Sequence, residues 1–422
     1  MMLLKGGNVC VQDELRRADV LIQDGVIAEM ATDIAAEGAR VIDCTGKVIA
    51  PGFIDAHTHL REPGQEYKET VASGAKAAAH GGYTAVCCMA NTEPVNDNAA
   101  VTRRILDLAR DAACRVYPIG AITKGLQGAE LAEMGELQAA GCVAVSDDGK
   151  PVTNAAVLRL ALQYAQAFNL RVIEHAEDMK LSEGGLMHLG DMSTLLGLMG
   201  IPASAEDVGV ARALCVAGEA GLPIHIAHVS TAGAVALIRE AKARGVRVTC
   251  ETAPHYIAGI DALCDGYNTN AKVNPPLRDE SHREAVIAGL LDGTIDIIAT
   301  DHAPHHADEK RCEFSLAKSG ISGLETAFAL CHAELVIARG IPLPRLISWM
   351  STVPAQVMGL PGGKLEKGAP ADLCVLDTQA RWTIHAAEFY SQGKNTPFDG
   401  REVTGKAVMT LCGGAITWEE GA

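Results

Sequence analysis

Val48-Ile49-Ala50-Pro51-Gly52-Phe53-Ile54-Asp55-Ala56-His57-Thr58-His59 runs from an apolar stretch straight into two histidines one residue apart. Far downstream, Ile295-Asp296-Ile297-Ile298-Ala299-Thr300-Asp301-His302-Ala303-Pro304-His305 has the same form. An apolar run that ends in His and Asp reads as a buried strand with a chemical tip. Residues i and i+2 of a strand face the same side, so His57 and His59 can grip one ion together. Asp301 can complete that grip only if the first and last strands of the set are neighbours. A closed parallel barrel makes them so, and it gathers functional groups at the C-terminal ends of its strands.

Between these stretches, strand-like runs alternate with Ala- and Leu-rich helical segments. The strand candidates are Phe53–Leu60, Tyr83–Met89, Val116–Thr123, Val143–Asp148, Arg171–Ala176, Pro223–Ser230, Val246–Pro254 and Asp296–Pro304. Eight is the count that a (β/α)8 TIM barrel requires. Helices are expected over Lys68–His80, Ala99–Ala113, Ala155–Phe168, Ala203–Ala220, Ala232–Arg244, Arg283–Leu291 and Gly323–Arg339. Both ends of the chain read differently, as short strands with tight turns. Asp24-Gly25 between apolar runs signals a hairpin, and Gly413-Gly414 a second. The expected architecture is therefore α/β: residues 53–364 form the barrel, and residues 1–52 and 365–422 together form a small β-sandwich.

Bulk properties narrow the function. The 422 residues suit a decorated barrel with a small companion domain. A net charge of −16 argues against nucleic acid, because phosphate binding needs clustered Lys and Arg. The 13 cysteines are scattered, without a CxxC pair, and read as reduced buried thiols. No apolar run approaches the roughly 18 residues that span a bilayer, and the first residues lack the core of a signal peptide. A cytoplasmic protein with no membrane partner is expected.

Polar residues recur at the strand tips: His57 and His59, Asn91, Asp147-Asp148, Glu174-His175, His228 and Asp301. His and carboxylate ligands without Cys suit zinc, manganese or iron in a hydrolytic site. Six ligands exceed one tetrahedral ion. The reading places His57, His59 and Asp301 on one ion, His175 and His228 on another, with Asp148 bridging. Two such ions lower the pKa of a shared water and polarise a carbonyl. Asp301 can then act as general base and afterwards as general acid. Taken singly, His175 and His228 would pass for core histidines; their matching tip positions favour ligation. Asp147 competes with Asp148, either of which could be a turn residue before Gly149. His302 is expected to point away from the axis, and His225 to lie on the outer strand face against a helix. Ser182–Ala203, rich in Gly and Met, is either a lid over the site or a packed surface excursion.

His57-Thr58-His59-Leu60-Arg61-Glu62-Pro63-Gly64 resembles the HxHLREPG signature of dihydroorotases in the amidohydrolase superfamily. Met89-Ala90-Asn91-Thr92, Ser146-Asp147-Asp148-Gly149, Glu174-His175-Ala176-Glu177-Asp178, His228-Val229-Ser230-Thr231, Asn274-Pro275-Pro276-Leu277-Arg278 and Lys394-Asn395-Thr396-Pro397-Phe398 extend the resemblance nearly to the C-terminus. The narrower motifs are similar to those of the bacterial long-chain (type I) branch. The resemblance implies reversible cyclisation of N-carbamoyl-L-aspartate to (S)-dihydroorotate in pyrimidine synthesis, two zinc ions per chain and a homodimer. It also implies substrate contacts from Arg61, Asn91, Asn274 and His305, with backbone groups near Ser319 and Gly320. A guanidinium suits the substrate carboxylate, and two carboxamides suit a cyclic amide edge. Relatives such as hydantoinases and allantoinases bridge their metals with a carboxylated lysine on the fourth strand, where this chain has Asp147-Asp148. The alternatives are another cyclic amidase, or a scaffold partner of aspartate transcarbamoylase; retention of all six ligand candidates weighs against lost catalysis, while an association of an active enzyme with that partner stays open.

Overall fold

The computed structural model describes residues 1–12 and 14–421. Eight parallel strands lie side by side in chain order: Phe53–Thr58, Tyr83–Cys88, Arg115–Gly120, Ala144–Ser146, Arg171–Glu174, Ile224–Ile226, Val248–Thr252 and Ile297–Ile298. Each falls on one of the runs read from the sequence. The first and last are joined by a bridge between Thr58 and His302, with the His59 amide donating to His302 O at 2.8 Å. Beneath it the Asp55 carboxylate accepts from the Thr300 amide at 3.0 Å and the Thr300 hydroxyl at 2.5 Å. A buried carboxylate needs such partners, and here they hold the barrel's seam.

Strand alternation sorts the core into an inner and an outer set. Ala56, Cys87, Ile119, Ala144, Ile173 and Ile297 cluster around the axis, where small residues let the barrel stay narrow. Their neighbours pack outward on the helices, among them Val71–His80, Ala155–Ala167, Ala203–Ala220, Ala232–Ala243 and Glu280–Leu291. Local chemistry sets the helix starts: Thr70 and Ser73 cap each other's backbone amides, and Asp279 accepts from Ser281 N and His282 N.

One expected helix differs. Gly323–Arg339 is α-helical only over Ala327–Cys331 and continues as a π-helical stretch, His332–Ile337. His332 stacks on Phe328 and donates from Nδ1 to Thr404 O at 2.9 Å, a tie to the terminal sheet that the wider turn accommodates. The short helices Met134–Ala140, Leu343–Met350 and Thr352–Met358 were not expected from the pattern.

Both termini contribute to one eight-stranded sheet. Val48–Pro51 from the N-terminal part pairs with Leu373–Thr383 from the C-terminal part, antiparallel, with Ile49 opposite Val375. The Asp24-Gly25 turn joins Glu14–Gln23 to Val26–Ala31 with both turn residues at positive φ, 52° and 80°, as a type I′ hairpin requires. Leu4, Val20, Ile27, Ile49, Leu373 and Leu411 share a separate core inside this β-sandwich.

Candidate active site

The six residues read as ligands meet at the C-terminal mouth of the barrel, all buried. His59 Nε2 lies 3.1 Å from Asp301 Oδ1 and 3.4 Å from Asp148 Oδ2. His57 Nε2 lies 3.5 Å from both Asp148 Oδ1 and Asp301 Oδ1. On the far side His175 Nδ1 and His228 Nε2 are 2.8 Å apart, and Asp148 Oδ1 is within 3.4 Å of each. Asp148 thus touches both halves of the cluster. Asp147 does not enter it; its carboxylate accepts from Ile122 N at 2.8 Å and Thr123 N at 2.9 Å and ties down the loop after the third strand. Lys150 is exposed beyond the turn.

Hydrogen bonds on the opposite ring edges aim three of these imidazoles. His59 donates from Nδ1 to Asn91 Oδ1 at 2.9 Å, and His175 from Nε2 to Glu177 Oε2 at 3.2 Å. His57 donates from Nδ1 to Glu251 Oε1 at 2.6 Å. Each bond fixes a proton on the outer ring edge and turns the other nitrogen toward the cluster. His302 is turned away, accepting from Gly323 N at 3.1 Å. His225, expected outside against a helix, is instead inside the barrel, with Nε2 3.1 Å from Glu251 Oε2. The expectation assumed unbroken alternation from His225 to His228. The strand stops at Ile226, and His228 adopts φ +35°, which re-aims the tip.

The electrostatics mark a cation site. Burial opposes charge on His57, yet Asp148, Asp301 and Glu251 outweigh it and hold the ring well above its usual pKa. Burial likewise opposes charge on His175, and Asp148 with Glu177 raises it to about 10. Burial alone would raise Asp148 and Asp301; His57 foremost reverses this and holds both well below the carboxylate range. Without ions, protons on buried imidazoles balance the carboxylates. His57 Nε2 itself is buried with no hydrogen-bond partner. An orphaned imidazole nitrogen between two carboxylates, facing further lone pairs, fits divalent metal in place of those protons.

A second His/Asp group, His188, Asp279 and His282, does not have this character. Arg278 donates to His188 Nδ1 at 3.4 Å and Ala232 N to His282 Nδ1 at 2.9 Å. Their remaining nitrogens then carry protons, and the guanidinium repels a cation.

Above the cluster is a cavity of about 440 Å³. His59, Asp148, His175, His228 and Asp301 form its floor, with His57 sealed below. Arg61, Asn91, Asn274, His305, Ser319 and Gly320, the residues read as substrate contacts, line its walls. Arg61 is held by Pro304 O at 3.2 Å. Asn274 donates to Glu177 Oε2 at 3.2 Å, while its Oδ1 is buried and unpartnered, ready for an N–H donor. His305 Nε2 lies 2.9 Å from Ser319 O and Nδ1 3.1 Å from Glu309 Oε2, while burial and then nearby Arg61 depress its pKa to about 3. Ser182, Gly185, Leu186 and Ile201 add a wall from the 182–203 excursion, which folds as two paired two-residue strands around the helix Asp191–Leu196.

Glu177, Glu251 and Asn395 were missed as contributors. Asn395 accepts from His305 N at 2.9 Å and donates to Gly320 O at 2.9 Å and Ala303 O at 3.0 Å. Glu251 left one signal, a carboxylate within a buried strand, which must find a partner.

Comparisons with known proteins agree with this geometry. Residues 46–234 match a family described as dihydro-orotase-like, and residues 322–418 an amidohydrolase family. The dihydroorotase of Citrifermentans bemidjiense is 51% identical over 422 residues, 99% of each chain. That of Pelotomaculum thermopropionicum is 52% identical over 421 residues, again 99% of each. The chain belongs to the dihydroorotase family. Among solved structures, L-hydantoinase (dihydropyrimidinase) from Arthrobacter aurescens superposes with a TM-score of 0.90 at 26% identity, over 100% of this chain and 96% of that one. Dihydropyrimidinase from Brevibacillus agri, at 24% identity and TM-score 0.86, shares the fold, with 99% of this chain and 95% of that one covered. Dihydroorotases are cyclic-amide hydrolases, and the buried His/Asp cluster gives this member the ligands for a divalent metal. Among the described residues no helix is long and apolar enough to cross a membrane.

Proposed function

We propose that this dihydroorotase interconverts N-carbamoyl-L-aspartate and (S)-dihydroorotate, with release of water on ring closure, in the synthesis of UMP. The observation that carries the reading is the near-full-length identity to dihydroorotases in a chain whose six candidate ligands converge under one substrate-sized cavity. His57, His59 and Asp301 would hold one zinc ion and His175 and His228 a second, with Asp148 shared. Bound there, the ions lower the pKa of water and polarise the amide carbonyl.

The remaining steps belong to side chains. In the hydrolytic direction Asp301 takes a proton from the attacking water and returns it to the ring nitrogen as the amide C–N bond breaks. In the synthetic direction the carbamoyl nitrogen attacks the carbon of the side-chain carboxylic acid, Asp301 accepts the nitrogen's proton, and it passes that proton to the carboxyl OH as the C–O bond breaks and water leaves. Against burial, His57, foremost, and His59 hold the Asp301 carboxyl below the usual range, so it is ionised at neutral pH. Arg61 pairs with the substrate carboxylate, the Asn274 carbonyl accepts a ring N–H, and Asn91, His305 and the backbone at Ser319 and Gly320 fix the ring in the cavity.

Hydrolysis of dihydroorotate by zinc-loaded protein, followed by loss of ring absorbance, tests this. Turnover that falls by at least 100-fold in Asp301→Ala supports the substrate and the role together. No turnover from folded, zinc-replete protein sinks the reading, and hydrolysis of a hydantoin instead moves it to another cyclic amidase. The same reading takes the enzyme to be a cytoplasmic homodimer, with Leu189, Leu195, Met199 and Tyr267 supplying exposed apolar surface. Light scattering on the eluted protein checks the dimer mass. Co-elution with purified aspartate transcarbamoylase checks that further association.

A further inference from the structure

Beneath the cavity floor a chain of polar groups crosses the barrel interior. The Thr249 hydroxyl meets His225 Nδ1 at 2.8 Å, His225 Nε2 meets Glu251 Oε2 at 3.1 Å, and the other carboxylate oxygen of Glu251 meets His57 Nδ1 at 2.6 Å. His57 and His225 are 0% exposed and Glu251 is 1% exposed, so water cannot substitute for any of these partners. The chain reads in one direction. The hydroxyl donates to His225, His225 donates to Glu251, and Glu251 accepts from His57, which turns His57 Nε2, unpartnered, toward Asp148 and Asp301.

We infer that Glu251, held in place by His225, is a positioning residue that sets the tautomer and aim of His57 toward the ion shared with His59 and Asp301. This rests on the reading of the six-residue cluster as a metal centre. A carboxylate behind a ligating imidazole locks its orientation and strengthens it as a donor. His59 has only a neutral carboxamide in the corresponding place, and the carboxylate behind His175 lines the open cavity. Of these three partners only Glu251 is an anion sealed from the cavity. It comes from the seventh strand and His57 from the first, so it reaches His57 through the barrel interior, past the eighth strand that lies between them. Packing does not call for a charge there; an apolar residue would fill the axis as Ile173 and Ile297 do. His225 is needed because one imidazole donor leaves the second carboxylate oxygen buried without a partner.

Zinc affinity, measured by chelator competition on purified protein, tests this without reference to turnover. Wild type is expected to hold two ions per chain. Glu251→Gln keeps the volume and loses the anion; one ion is expected to weaken about 10–100-fold while the other keeps its affinity. His225→Gln, which touches no candidate ligand, is expected to weaken the same ion by a smaller factor. Cobalt-loaded Glu251→Gln should show an altered visible spectrum for that ion alone. A lowered melting temperature with both zinc affinities and the cobalt spectrum unchanged overturns the inference and leaves Glu251 a structural brace. Should Glu251→Gln fail to fold, wild-type affinity in His225→Gln overturns it equally. A wild type that binds no zinc overturns the metal centre itself, an outcome distinct from either.

Discussion

Arg61, His228 and Asp301 all stand in the left-handed backbone region, with φ of +63°, +35° and +47°, and none is glycine. Each such residue costs about 1–3 kcal/mol unless its surroundings impose it. Here the return is aim: the chain kinks at a strand tip, and a side chain that regular alternation would carry elsewhere turns to the cavity. Arg61 shows what that aim serves. Burial pulls its guanidinium down to about 10, which still leaves it cationic at neutral pH. Arg61→Lys should raise KM for dihydroorotate about 10–100-fold with kcat changed only a few-fold, because an ammonium loses the two-point contact with a carboxylate. An unchanged KM in steady-state assays would show that the carboxylate binds elsewhere. At this scale the gathering of His and Asp at one mouth was legible from their places at strand tips, while the wall residues came from the resemblance alone. Asp148 was preferred over Asp147 without a deciding signal, since adjacent residues differ only in facing, and it is Asp148 that lies among the histidines. The place of His225 was not legible, because positive φ at a histidine leaves no mark in a sequence.

Elements that bring nothing reactive still shape the site. The 182–203 excursion is anchored by His188, whose Nδ1 accepts from Arg278. Burial, then Arg278, lowers the pKa of His188 to about 4, below the value of about 6.5 for an unfolded histidine. Between those values the unfolded chain binds a proton that the folded one refuses. Stability is therefore fully present above pH 6.5 and is lost as pH falls towards 4, at up to about 1.4 kcal/mol per unit. Denaturant midpoints measured from pH 7 to pH 4 should fall less steeply in His188→Gln than in wild type; parallel curves would exclude His188 as the anchor that fails. The segment carrying Asn395 acts on the opposite wall. Asn395→Ala removes the clamp on His305 and Gly320 and should raise KM about 10-fold or more while zinc content stays at the wild-type level. A metal-depleted variant would move Asn395 into the support of the centre. Element positions were legible wherever period and length agreed, as in all eight barrel strands. The π-helical turn at His332–Ile337 was not, because its cause lies in a tie to Thr404 that no local pattern announces.

For the molecule as a whole, the two-part architecture was legible in the contrast between strand-rich ends and an alternating middle. What the pattern did not convey is how firmly the parts are joined. Arg115 makes two bonds to Asp372, at 3.0 and 3.2 Å, and the Thr410 hydroxyl donates to Ala79 O at 2.7 Å. Cys374, Leu376 and Ala407 from the C-terminal strands belong to the same hydrophobic cluster as Phe53, Tyr83 and Phe328 of the barrel. A chain truncated after Lys364 should therefore be insoluble or inactive rather than a free-standing barrel enzyme; a monodisperse truncated protein with measurable turnover would show the sheet to be dispensable. The clamp at Asn395 carries a consequence for how the enzyme is born. Translation delivers residues in order, at about 5–20 per second, so roughly 20–70 s separate the emergence of His57 from that of Asn395. All six ligand candidates have been made once Asp301 emerges, yet the wall around His305 and Gly320 stays unclamped until Asn395 follows. Closure of the cavity wall is thus a late event in the making of this catalyst, because the residue that clamps His305 is among the last to leave the ribosome.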